Sequence, residues 1–165
     1  MTSKTPSRRK VLQVAVAVIC CPVAAAEASQ SAADRLTVDQ ITDVGASAAS
    51  GMFRFEPDLL RLSPGDELVF LNSRSDHTVH TVPELWPDGA APVAIAHKPE
   101  AKVVFEHEGV YGFRCRRHGQ YGMVMLVVVG QPKDTAELPE TIRKMRAKSR
   151  ERRAFLKLAD RVEQI

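Results

Sequence analysis

Cysteine is scarce in this chain: 165 residues contain three, and two of them, Cys20 and Cys21, lie in an N-terminal apolar run. Without that run Cys115 stands alone, which excludes an internal disulfide and the paired thiolates that usually build structural zinc sites. Long apolar runs are also missing. The longest, VLQVAVAVICCPVAAA from Val11 to Ala26, spans 16 residues, short of the roughly 18–20 that a membrane-spanning helix requires. Stable membrane anchoring is therefore not expected. There are no internal repeats and no low-complexity domain, so a solenoid or a disordered array is excluded.

What the N-terminus does have is an address. SRRKVLQ supplies the twin arginines Arg8 and Arg9, the apolar run follows, and Ala24-Ala25-Ala26 offers small residues for cleavage. Residues 1–26 read as a cleaved export signal of the twin-arginine type, cut after Ala26 in preference to Ala28, which places the mature protein in the periplasm. Its loss takes away Lys4, Arg8, Arg9 and Lys10 with no acid, so the formal charge falls from +3 to −1. The basic pI therefore belongs mostly to the precursor. In an oxidising compartment a lone thiol is either buried and inert or committed to a metal or to chemistry.

Between Leu36 and Gly130 short apolar or alternating runs are separated by turn residues. LTVDQI, GMFRFEP, LLRLS, DELVFLN, AKVVFEH, GVYGFRC and MVMLVVV are candidate strands, with Pro64-Gly65-Asp66 and Pro87-Asp88-Gly89 as tight turns. Gly45–Ser50 reads as a loop, and Pro83–Pro99 as a long irregular connection with a helical turn near Glu84–Trp86. Seven short strands in residues 36–130 predict an all-β domain of β-sandwich type. Residues 131–165 differ, with ten Lys or Arg, six Asp or Glu, and apolar residues at helical spacing: Ile142 and Met145, then Phe155, Leu158, Val162 and Ile165. Pro139 suits a first helical position and Ser149 a cap. The extension is expected to be two amphipathic helices packed on the sandwich. Its interspersed acids argue for a solvated face and against nucleic-acid binding.

The stretch RCRRHGQYGM, Arg114–Met123, sets a thiolate, an imidazole and a thioether at Cys115, His118 and Met123 between two β runs. With a second imidazole such a set is soft and polarisable and selects copper. His77 is the best placed of the remaining histidines, because it follows a strand and opens a loop at the sandwich end. His97 and His107 suit exposed loop or strand-end positions. His80 is separated from His77 by three residues, so in a strand the two need not face one metal. Zinc is the competing metal, but structural zinc commonly uses more thiolates and no thioether, and hydrolytic zinc needs an acid or base that this loop lacks. Met125 reads as core, Trp86 as packing between the long connection and the sandwich, and Met52 either as core or as a neighbour of the ligand loops.

Val38–Gly130 with its helical tail resembles the pseudoazurins, a family of blue-copper cupredoxins. The matching elements are MFRFEP, SPGDELVF, His77, WPDGA, EGVYGFRC, the Cys115, His118, Met123 spacing, and MVMLVVVG. Plastocyanins share that spacing, amicyanins have a shorter His-to-Met gap and azurins longer loops; the two-helix tail points to the pseudoazurins. The resemblance implies a Greek-key cupredoxin sandwich and one type 1 copper bound by His77, Cys115, His118 and an axial Met123. It also implies outer-sphere electron transfer through His118, without substrate chemistry, to partners such as copper nitrite reductase or c-type cytochromes. Docking would lie near His118, Arg116 and Arg117. Three positions depart from the family pattern: Thr78 where Asn usually follows the loop histidine, Arg117 where Pro usually precedes the second histidine, and His80 where an acid is frequent. A periplasmic copper chaperone or storage protein is the alternative use of the same ligands. It is disfavoured because the chain has one closed ligand set and no Met-rich run. A copper oxidase or reductase domain would need more histidines than the chain holds.

Overall fold

Alternating apolar side chains after Leu36 fold into seven strands: β1 Thr37–Thr42, β2 Phe53–Glu56, β3 Leu59–Leu62, β4 Glu67–Thr81, β5 Ala94–Val104, β6 Gly109–Arg114 and β7 Val124–Val129. The computed structural model describes residues 36–165. The expected export signal, its cleavage positions, Cys20 and Cys21 lie outside the described residues. The strands make one sheet in the order β2-β1-β4-β6-β7-β3, with β5 also paired to β4. β1 runs parallel to the start of β4, with Thr37 opposite Val69, whereas the end of β4 pairs antiparallel with β6 at Thr81 and Phe113. β4 therefore passes from one half of the sheet to the other. The halves enclose a core that includes Val38, Phe55, Phe70, Val79, Phe105, Phe113, Met125 and Val127. That arrangement is the two-layered sandwich expected from the strand pattern.

Three expectations need correction. The strand expected to end at Asn72 continues to Thr81, and most of its partner's first half lies inside the supposedly irregular Pro83–Pro99 connection. The cause is a register shift between Ser73 and Thr78, near which Asn72 and His97 both adopt left-handed backbone, with φ of 63° and 58°. Such a bulge breaks the period-2 pattern by which a strand is read. Second, Ser149 does not cap the second helix but is its first residue; Lys148 stands at the N-cap and makes no side-chain cap hydrogen bond. Third, the second helix ends at Ala159: Val162 joins Phe155 and Leu158 in the buried cluster from a separate 3-10 turn, Val162–Gln164, and Ile165 is 45% exposed.

The other features follow the sequence. Gly65, with φ of 94°, turns the chain between β3 and β4, where its N–H donates to the Phe105 carbonyl at 2.8 Å. Trp86 packs edge-on against Tyr111 and Phe113 at ring separations of 4.7 and 5.1 Å, and its Nε1–H donates to the Ala90 carbonyl. The continuous apolar run of β7 has two destinations. Met125, Val127 and Val129 enter the sandwich core; Val124, Leu126 and Val128 face the helices α1 (Leu138–Lys144) and α2 (Ser149–Ala159). A strand covered on both faces needs no polar alternation. Ile142, Met145, Phe155 and Leu158 supply the opposing apolar surface.

Candidate metal centre

β6 and β7 form a hairpin whose last pair is Arg114 opposite Val124, and the loop between them carries Cys115, His118 and Met123. Backbone hydrogen bonds close this loop on itself. The Gly119 N–H donates to the Cys115 carbonyl at 2.8 Å, Tyr121 N–H to His118 at 2.9 Å, Met123 N–H to His118 at 3.2 Å and Cys115 N–H to Met123 at 3.1 Å. A short 3-10 turn, Gly119–Tyr121, ends at Gly122 in the left-handed region, φ 103°, which glycine adopts without a side-chain penalty. His77 comes from the irregular stretch of β4 between Ser73 and Thr78 and not from a loop, which corrects the sequence reading while preserving the juxtaposition.

Among the described residues, one group of metal-binding side chains converges: the ligand atoms of His77, Cys115 and His118 lie within 4.8 Å of one another, and all three residues are buried. The two Nδ1 atoms are 3.2 Å apart, and the Cys115 Sγ is 3.6 Å from His118 Nδ1. Thr42 Oγ1 lies 2.7 Å from His77 Nε2. Donation from Nε2–H to that hydroxyl leaves Nδ1 with a lone pair facing the cluster, a tautomer suited to metal binding. Met123 is fully buried in the same apolar cluster as Cys115. Burial pushes the Cys115 thiol pKa up, yet hydrogen bonds from the His77 side chain and the backbones of His118, Thr78 and Arg117 bring it down to about 7. Two imidazoles and an easily ionised thiol, with no carboxylate among them, fit a soft metal of the copper type.

Residues 42–130 match the family model of copper binding proteins of the plastocyanin/azurin family. A pseudoazurin of Methylorubrum extorquens is 38% identical over 132 residues, which cover 80% of this chain and 86% of that protein. The chain belongs to the pseudoazurin family. Its fold agrees with the crystal structure of pseudoazurin from Methylobacterium extorquens AM1 at 34% identity, TM-score 0.63, over 79% of this chain and 98% of that one. Native pseudoazurin from Hyphomicrobium denitrificans agrees at 26% identity, TM-score 0.65, over 78% and 98% of the respective chains. Pseudoazurins are copper electron-transfer proteins and not enzymes, and copper is the cofactor of this family.

The remaining sequence candidates fall outside the cluster. His80 is half-buried and lies on the opposite side of β4 from the buried His77 and Val79; burial, then Arg116 and Arg114, hold its pKa below the ordinary histidine value. His97 and His107 are exposed, as expected. Thr78, which replaces the family's Asn, joins the two ligand segments: its hydroxyl accepts the Arg116 N–H at 3.0 Å and lies 3.8 Å from the Cys115 Sγ. The Thr78 hydroxyl thus braces the His77 segment against the Cys115 segment.

Two contributors escaped the sequence reading. Phe53, next to the Met52 considered for this role, stacks on the His118 ring with centroids 3.9 Å apart and planes inclined by only 7°. Its strand β2 reaches the site because β2 pairs with β1, whose last residue is the His77 partner Thr42. The only signal was an aromatic at the start of a short strand. Tyr121, 42% exposed, lies beyond Phe53 at 6.0 Å and, with exposed Arg116, Arg117 and Gln120, rims the site.

Proposed function

We propose that the chain is a periplasmic one-electron carrier in which His77, Cys115, His118 and Met123 would hold a single type 1 copper. Copper held there would supply a one-electron couple, and two imidazoles, a thiolate and a thioether would suit both of its oxidation states. The observation that carries this reading is the convergence of two Nδ1 atoms and one Sγ, all buried, on a common point. The chain's own part is to keep that point fixed and dry. Thr42 orients His77, Phe53 clamps His118, and the self-bonded loop holds Cys115 against Met123. With the donors already gathered, little has to move when the charge changes. With both imidazoles and the thiolate committed to the metal in this reading, the cluster keeps no group to transfer a proton to a substrate.

His118 is the exit for the electron in this reading. It stands on the loop whose exposed Arg116, Arg117, Gln120 and Tyr121 form the surrounding surface, while His77 has Thr42 at its outer nitrogen. Two arginines beside the exit favour an acidic docking face, and charges at such a rim act chiefly on association rate. Copper nitrite reductase and c-type cytochromes are the partner classes. No helix among the described residues is long and apolar enough to cross a membrane. The test is stopped-flow electron transfer from the reduced protein to each partner class across a range of ionic strength. The rate is expected to fall with salt, and Arg117→Glu to slow it and flatten the salt dependence. An Arg117→Glu protein with unchanged rate and salt slope would sink the docking assignment.

A further inference from the structure

The C-terminal helices look like an accessory to the sandwich, yet one of them reaches the ligand loop through a pair of charges. Arg114, the last residue of β6 and the neighbour of Cys115, extends its Nη1 to the Glu151 Oε1 at 3.1 Å. Glu151 lies in the first turn of α2 and its side chain is 6% exposed, against 34% for Arg114. It is the sole charged residue in the buried class among the described residues, histidines aside. A carboxylate is withdrawn from water only at considerable cost, which this arginine offsets. A helix that needed only to cover β7 would carry an apolar residue there, as it does at Phe155 and Leu158.

What the pair supports is the loop. A Cβ added to Gly119, next to His118, would lie 3.4 Å from Arg114 Cβ, 3.6 Å from Glu151 Oε1 and 3.7 Å from Arg114 Cδ. The Arg114 stem and the Glu151 carboxylate thus form the floor on which the 3-10 turn rests. One helical turn further on, Ala154 takes the same role at the other end of that turn: its Cβ lies 3.6 Å from where a Cβ on Gly122 would be. The turn between His118 and Met123 is therefore seated on α2 at both ends.

We infer that Glu151, through Arg114, is a positioning residue of the metal centre, and that α2 belongs to the frame that fixes the Cys115, His118 and Met123 loop. This rests on the copper-carrier reading for its functional meaning. Its structural content, a loop ordered by a helix from the far end of the chain, can be measured without metal. A salt bridge worth little at the surface acts differently here, because Glu151 is largely withdrawn from water and its partner is the residue that leads directly into Cys115.

The experiment uses the double variant Arg114→Met/Glu151→Leu, in which apolar side chains of similar size replace the pair and folding is retained. Leu158→Ala is the control: it loosens α2 against β7 without touching Arg114 or Glu151. In the metal-free mature chain, amide hydrogen exchange at Gly119 and Gly122 is expected to accelerate about tenfold or more in the double variant, as local opening becomes easier. In the control it should rise no more than across α2 as a whole. With one equivalent of Cu(II), the double variant should show a shifted thiolate absorption band and altered electron paramagnetic resonance parameters, and the control should match the parent. Wild-type exchange rates at both glycines together with an unchanged band would overturn the inference; equal loop acceleration in the control would overturn the role of the Glu151–Arg114 pair, since loosening α2 alone would then suffice. If the parent protein shows no thiolate band, the copper reading fails on its own account, and the exchange data still decide whether α2 fixes the loop.

Discussion

Thr78→Val removes a single hydroxyl from the frame around Cys115 and keeps the β-branched shape that β4 requires. The hydroxyl accepts the Arg116 N–H at 3.0 Å, and its own hydrogen is free to point at the Cys115 Sγ, 3.8 Å away. Arg116 is exposed, so water replaces the lost acceptor and folding stability falls by only about 1 kcal/mol, the net value of one neutral hydrogen bond. The effect at sulfur has a definite sign. A donor favours the thiolate, so its loss raises the metal-free thiol above its value of about 7; ~1 kcal/mol corresponds to ~0.7 of a pKa unit at 1.36 kcal/mol per unit. In the copper protein the reduced site carries one more electron and the sulfur more negative charge, so the hydrogen bond is worth more in the reduced state. Its removal lowers the reduction potential. If the whole ~1 kcal/mol were differential the change would be about 40 mV, with 59 mV per 1.4 kcal/mol for one electron, and ~20–40 mV is the expected range. Protein-film voltammetry reads the potential, and the ultraviolet thiolate absorbance of the metal-free protein reads the titration. A potential that stays constant or rises, with the thiol midpoint unmoved, would refute the assignment of the Thr78 hydroxyl as a donor to sulfur.

Phe53→Leu keeps an apolar side chain but removes the stacked ring, so the metal-free protein should lose about 1 kcal/mol, the usual worth of an aromatic pair beyond its burial. Calorimetry should register a Tm lower by ~3 °C, and an unchanged Tm would show that the stack contributes nothing to His118. His80→Gln tests a pH effect whose sign follows from burial and from Arg116 and Arg114, which hold the folded-state pKa below the ordinary 6.5. As pH falls through ~6.5 the unfolded chain takes up the proton first, so His80 costs stability on the acid side, and that cost is absent above it. Urea midpoints between pH 7 and pH 5 should therefore fall less steeply in His80→Gln than in the parent, and equal slopes would contradict the shift. Phe155→Ala empties a fully buried position where α2 meets β7; denaturant melts should show a loss of ~3–5 kcal/mol, and a loss below ~1 would mean that the helix does not seal that face.

The sequence made the sandwich legible where local pattern and final environment agree. MVMLVVV is apolar at every position because both faces of β7 are covered, and Pro64-Gly65-Asp66 turns the chain because Gly65 adopts a positive φ. The Cys115, His118, Met123 spacing was readable for the same reason, since one nine-residue loop both carries and positions the three side chains. His77 was found for a partly mistaken reason: the bulge after Ser73 hid the continuation of β4, so a strand residue was read as a loop residue. What could not be read was the support. Thr42, Phe53 and Glu151 act across 35 or more residues of chain, and each is an ordinary residue in its local context. Glu151 in particular has the sequence appearance of one more charge on a solvated helix, and only the meeting of α2 with the ligand loop buries it.

Whether Cys115 is the thiolate ligand of a copper centre is decided by one spectrum. Residues 27–165 are mixed with one equivalent of Cu(II), and the visible absorption is recorded for the parent and for Cys115→Ser. An intense blue or green thiolate-to-copper band that is present in the parent and absent from the variant is the predicted result. A parent that binds copper without colour, or a band that survives Cys115→Ser, would contradict the account and turn attention to copper storage or delivery.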